Sequence, residues 1–96
     1  MIYLEKKHEK IVRDILKKYP YTFYIYGSRA KGTHRPHSDL DICFKESIPL
    51  SIQAQIEEEF TESDLPFEVD FSDYNLMQES FKDRIKKSLV VFQEPK

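Results

Sequence analysis

The sequence predicts a two-layer α/β fold (α+β in arrangement), a small mixed sheet of about four strands with helices packed on one face. Three observations predict it. Apolar residues recur at helical spacing in the first segment and alternate with polar ones in the middle. Pro20, Pro36, Pro49 and Pro66 punctuate the periodic segments and cut the chain into the order α-β-α-β-α-β-α-β. The length, 96 residues, suits one small domain over residues 1–96.

Leu4, His8, Ile11, Val12, Ile15, Leu16 and Tyr19 lie on one helical face, with Lys6, Lys7, Glu9, Lys10, Arg13 and Lys17 opposite. An amphipathic helix of about residues 4–19 follows, ended by Pro20. The apolar run Thr22-Phe23-Tyr24-Ile25-Tyr26 predicts a first buried strand, about 21–26. Ser28 is expected to cap a short helix to about Lys31. Residues 33–38 read as a loop, since Pro36 forbids regular structure. A second strand spans about 39–44 and neighbours the first, the pairing antiparallel or mixed. A second helix runs from about Leu50 to Phe60, started by Ser47 or Pro49, with Ile52, Ile56 and Phe60 inward. Its Glu57-Glu58-Glu59 run radiates around the helix as a solvated face. Pro66 opens a third strand, about 67–71, in which Phe67, Val69 and Phe71 alternate with Glu68 and Asp70. Residues 72–75 read as turn and cap. Leu76, Met77, Phe81, Arg84 and Ile85 suggest a helix of about 76–87. Leu89 to Phe92 form a last short strand, and residues 94–96 fray.

Composition narrows the function classes. Hydrophobic residues make up 40% and charged ones 33%, a soluble globular balance. Seven Phe and six Tyr let a small core bury large side chains. The formal net charge of −2 supplies no global basic field for nucleic acid or membrane. The single cysteine, Cys43, excludes an internal disulfide and reads as a small buried residue. No apolar run approaches the ~20 residues of a membrane span and no signal peptide is visible, which points to a cytoplasmic protein.

The chemistry concentrates between Gly27 and Asp41. In a strand Asp39 and Asp41 point the same way while Leu40, Ile42 and Phe44 face the core. Like charges side by side are costly unless a cation joins them, and oxygen ligands favour Mg²⁺. Gly27 lets a phosphate approach the backbone, and the helix start after it favours an anion. Taken singly, Gly-Ser is ordinarily a capped turn and Asp-Leu-Asp a solvated strand edge. A P-loop is rejected: Gly27 and Gly32 are correctly spaced, but Thr33-His34 stands where Lys-Ser/Thr is required.

Gly27-Ser28, ten intervening residues, then Asp39-Leu40-Asp41 resembles the signature of minimal nucleotidyltransferases of the DNA polymerase β-like superfamily. Arg29-Ala30-Lys31-Gly32 and Ser38 also match the family form. The resemblance extends to Glu62–Asp70 and covers most of the chain. It implies a nucleotidyltransferase-like fold and a third carboxylate on a later strand, assigned to Asp70, with Glu68 as competitor and Asp73 as a turn or cap residue.

The implied reaction is attack of an acceptor hydroxyl on the α-phosphate of ATP or another nucleoside triphosphate, with release of pyrophosphate. The resemblance implies two Mg²⁺ ions (or Mn²⁺) ~3.5–4 Å apart, held by Asp39, Asp41 and Asp70. Asp70 would also help deprotonate the hydroxyl. Gly27 and Ser28 would hold the β- and γ-phosphates, with Arg29 assisting and Lys31 less so. His34, Arg35 and His37 read as solvated loop residues, and His8 as packed or solvated. Larger relatives carry helical domains for the base and acceptor. The resemblance therefore implies a small all-helical HEPN-type partner, the alternative being a non-enzymatic antitoxin or binding module that acts by complex formation. Nucleic-acid binding and oligomerisation stay open.

Overall fold

The computed structural model describes residues 2–95. The first helix, α1, is Lys6–Leu16, with Val12, Ile15 and Leu16 buried. Its outer face carries Lys10–Asp14 and Arg13–Glu9 pairs at 2.7 and 2.9 Å. Such exposed pairs, four residues apart, contribute only about 0.3–0.5 kcal/mol each. The helix is shorter than its apolar stripe. Leu4 and Tyr19 pack from outside it, and the Tyr19 N–H turns back to the Leu16 carbonyl ahead of Pro20.

Strands β1 (Phe23–Tyr26), β2 (Leu40–Phe44), β3 (Val69–Asp73) and β4 (Val90–Gln93) form one mixed sheet in the order β3-β2-β1-β4. β1 runs antiparallel to both β2 and β4, whereas β2 and β3 are parallel. A parallel pair needs a crossover, and the connection contains α3 (Leu50–Thr61). α1 and α3 form the helical layer over one face. Val12, Leu16, Ile56 and Phe60 meet Phe23, Ile25, Leu40, Ile42, Phe44 and Phe71 there. Each such side chain, fully buried, contributes roughly 1.5–3 kcal/mol.

The opposite face is only partly covered. There α4 (Glu79–Ile85) sets Ile85 against Tyr26 and Cys43, with Phe81 packed beside them. The bare remainder of this face holds the carboxylates.

Besides the shorter α1 and one- or two-residue shifts in β1, β2 and β4, two elements differ in ways that bear on the site. β3 begins at Val69, two residues late, because pairing to β2 starts at the Glu68 carbonyl, which accepts from Leu40 N–H. Phe67 leaves the strand and lies under the Arg29 guanidinium, 4.2 Å from its ring centroid. The expected helix over 76–87 is also broken up. Tyr74–Leu76 is a 3₁₀ turn, Met77 is extended, and the α-helix starts at Glu79. Local side-chain bonds outcompete the helix here. Asp73 accepts from Asn75 N–H at 2.9 Å, and the Asn75 amide donates to the Lys45 carbonyl at 2.8 Å. Leu76, expected on an apolar stripe, is 84% exposed. No helix among the described residues is long and apolar enough to cross a membrane.

Candidate active site

β1 ends at a sharp turn. Gly27 has φ 79° and ψ −155°, and α2 (Ser28–Lys31) starts immediately after it. A side chain at Gly27 would be strained by the dihedral. It would also have no room, since a Cβ there would sit 2.3 Å from Asp41 Oδ2. The missing side chain is therefore what lets the Asp41 carboxylate lie against the turn. Gly32, at φ 82°, closes the short helix in the left-handed conformation. Ser28 does not cap α2 as expected. It is the first helical residue, Gly27 occupies the cap position, and no side-chain cap bond forms.

The carboxylates come from the β2–β3 register. Asp41 lies opposite Asp70 in the parallel pair, and opposite Tyr26 in the antiparallel pair with β1. Asp70 exchanges a further contact with Ser72, whose hydroxyl donates to Asp70 Oδ1 at 3.1 Å. Burial raises the Asp41 carboxyl to about 6, helped by the charges of Asp70 and then Asp39. The same burial, with the charges of Asp70 and Asp41, pushes the Tyr26 hydroxyl above its usual range. Asp39 precedes β2 and is exposed. Its charge reaches Asp41 without its side chain lining the same cleft. Glu68 borders a different groove, with Phe60, Thr61 and Leu65. Cys43 is fully buried and its thiol is pushed up to about 12, mainly by burial, so it is chemically quiet.

Asp41 and Asp70 floor a cleft of about 270 Å³ walled by Tyr26, Gly27, Lys31, Phe81, Arg84 and Ile85. Among the described residues no three His, Cys, Asp or Glu side chains converge closely enough to grip an ion as they stand. The donor chemistry nevertheless fits a hard divalent cation. Two carboxylates lie side by side, and one is held above its usual range partly by its neighbours' charge.

Arg29, expected beside a phosphate, is placed otherwise. It is only 4% exposed and borders a groove other than the one that holds Asp41 and Asp70. Its three nitrogens donate to the backbone carbonyls of Ser38, Tyr3 and Pro36 at 3.1, 3.2 and 3.3 Å. Stacking on Phe67 completes its surroundings. Burial lowers its proton affinity, yet a guanidinium stays charged in proteins. The cations that do line the cleft are Lys31, ranked lower in the sequence, and Arg84, which was read only as part of a helical stripe. The Phe81-Arg84-Ile85 spacing was visible in the sequence. The sheet face on which that helix would settle was not.

The polymerase beta nucleotidyltransferase family matches residues 9–96. A relative from Haemophilus influenzae, a probable protein adenylyltransferase called MntA, is 41% identical over 88 residues, covering 88% of this chain and 77% of its own. A crystal structure of a toxin-antitoxin with AMP-PNP shares the fold, with a TM-score of 0.68 at 17% identity over 92% of this chain and 74% of that one. A structure from Sulfolobus solfataricus assigned as a nucleotidyltransferase gives a TM-score of 0.52 at 27% identity, over 93% and 78% of the two chains.

Proposed function

Because the chain belongs to the polymerase beta nucleotidyltransferase family, we propose that it transfers AMP from ATP to an acceptor hydroxyl. We propose further that it does so with a small helical HEPN-type partner. The observation that carries the reading is the seating of Asp41 against Gly27 with Asp70 beside it. It supports a reading in which a turn open to phosphate and a carboxylate pair suited to a cation meet at one point.

Asp41 and Asp70, joined by Asp39, are the residues that would hold Mg²⁺ or Mn²⁺. A bound divalent ion there would neutralise the charge of the phosphates and of the leaving pyrophosphate. Gly27 and Ser28 would take the β- and γ-phosphates, because the first N–H groups of a helix have no partner within it. The acceptor oxygen forms its bond to the α-phosphorus as the bond to the β-phosphate oxygen breaks, and pyrophosphate leaves with that electron pair. The hydroxyl proton passes to Asp70, the exposed carboxylate of the pair and so the one an incoming acceptor can reach.

AMP as the transferred group is supported by the relative described as a protein adenylyltransferase. The need for a partner is supported by the shape of the cleft. Among the described residues, only the sheet, α2 and α4 wall it, and no second lobe covers it. An acceptor or partner surface would have to complete the enclosure.

The test is incubation with ATP labelled at the α-phosphate and Mg²⁺, with and without a small helical HEPN-type protein as the proposed partner. Label transferred to protein or RNA supports the reading and identifies the acceptor. Tight association with the partner without any transfer would favour action by complex formation alone.

A further inference from the structure

We propose that Arg84 is the triphosphate clamp of this cleft, the residue that holds the β- and γ-phosphates from the side opposite Gly27; this rests on the nucleotidyl-transfer reading above. The motif's own arginine is not placed to do the work: Arg29 is buried, bonded to three backbone carbonyls, and borders a different groove from the cleft. A nucleotide entering the cleft meets Asp41 and Asp70 on the floor, so a protein cation on the wall would add to a bound divalent ion in offsetting the repulsion between phosphate and carboxylate. Lys31 and Arg84 are the two cations that line it.

Arg84 is the better placed of the two. It stands on α4, whose Ile85 is buried against Tyr26 and Cys43. One turn earlier, Phe81 packs edge-on to Tyr26 with ring centroids 6.0 Å apart. The Arg84 guanidinium lies 5.4 Å from the Phe81 ring centroid, a cation–π contact that steadies it over the cleft. Its neighbours on the helix are engaged elsewhere. Lys82 pairs with Glu79 and Lys86 with Asp83, while Arg84 has no carboxylate at ion-pair distance among the described residues. It shares a cleft with two carboxylates and does not close on them. The gap is the space a phosphate and its counter-ion would fill. A planar guanidinium suits two phosphate oxygens at once, which a lysine does not.

The experiment measures binding, not turnover. The full chain is titrated with a fluorescent ATP analogue in Mg²⁺, and inorganic pyrophosphate is then used to displace it. Arg84→Gln is expected to weaken both ATP and pyrophosphate roughly 10- to 100-fold, the loss of charge-assisted hydrogen bonds. Arg84→Lys should recover part of that loss, and Lys86→Gln, a control just past the end of the same helix, should stay within about twofold of wild type. Melting curves confirm that each variant is folded. Equal pyrophosphate affinity in wild type and Arg84→Gln overturns the clamp and leaves nucleotidyl transfer standing. An equal loss in Lys86→Gln also overturns it, by reducing the effect to general charge. A folded wild type that binds no ATP in Mg²⁺ overturns the clamp together with the reading beneath it.

Discussion

Asp70→Asn should stabilise the metal-free protein, and the gain should switch on with pH. The Asp41 carboxyl titrates at about 6 in the folded chain against an ordinary 3.8. The native state therefore binds more protons than the unfolded chain between these values, and stability falls as pH rises through that window. Taken whole, the gap corresponds to about 3 kcal/mol. Burial is its largest cause and the Asp70 charge the next. Water reaches the cleft, so the share due to Asp70 is about 0.2–1 kcal/mol, the usual range for like charges on neighbouring strands. For a domain of this size that corresponds to a melting shift of about 1–8 °C. Melting is compared between variant and wild type at each pH in EDTA. The comparison cancels Asp14 and Glu59, whose carboxyls are held low by Lys10 and Lys18 respectively and act in the opposite sense. The difference should be near zero around pH 4 and reach its plateau above about pH 6–7. The same variant should transfer no α-phosphate label in Mg²⁺. A variant that melts below wild type at every pH would refute the reasoning, because Asp70 would then be a structural partner whose loss leaves a group unpaired.

Three further outcomes are expected. Gly27→Ala should be destabilised by about 1–3 kcal/mol, read by denaturant titration, from its positive φ with extended ψ alone, and should also lose ATP binding, because the added carbon falls 2.3 Å from Asp41 Oδ2. Arg29→Ala should destabilise by about 2–4 kcal/mol, read by denaturant titration, since it strands three backbone carbonyls; Arg29→Lys should not rescue it, lacking the planar fork. ATP affinity measured by calorimetry should fall at least tenfold in EDTA, since the phosphates would then face Asp41 and Asp70 directly; equal affinity with and without metal removes the cation-bound site.

The strands of the site were legible because they obey a period of two. Leu40, Ile42 and Phe44 turn inward, so Asp41 had to turn outward, and the structure agrees. The same logic turned Asp70 outward from between Val69 and Phe71, and Glu68 with it; the resemblance, not the period, singled out Asp70. Its placement beside Asp41, and not one pair further along, required the register of β2 on β3. That register is set by long-range pairing that no local pattern encodes. α4 shows the same limit. The apolar stripe gave the helix, but Asn75 binding the Lys45 carbonyl cut away its first turn. Arg29 misled for a different reason. Its position in the motif suggested a ligand contact, whereas its burial depends on Tyr3, Pro36, Ser38 and Phe67, four residues scattered along the chain.

Those four residues give Arg29 a consequence for the order in which the chain becomes competent. Its guanidinium can complete its bonds only after Tyr3 has returned from 26 residues upstream and the loop through Ser38 has formed. Tyr3 is fastened in return, its N–H donating to the Arg29 carbonyl at 2.8 Å. The turn after β1 is thus held by tertiary contacts as well as by the local conformation that Gly27 permits. A chain in which Tyr3 has not yet docked carries both halves of the motif without the Arg29 bonds that brace them. On the proposed function, nucleotide binding would therefore report complete folding, and a partly folded copy is expected not to consume ATP.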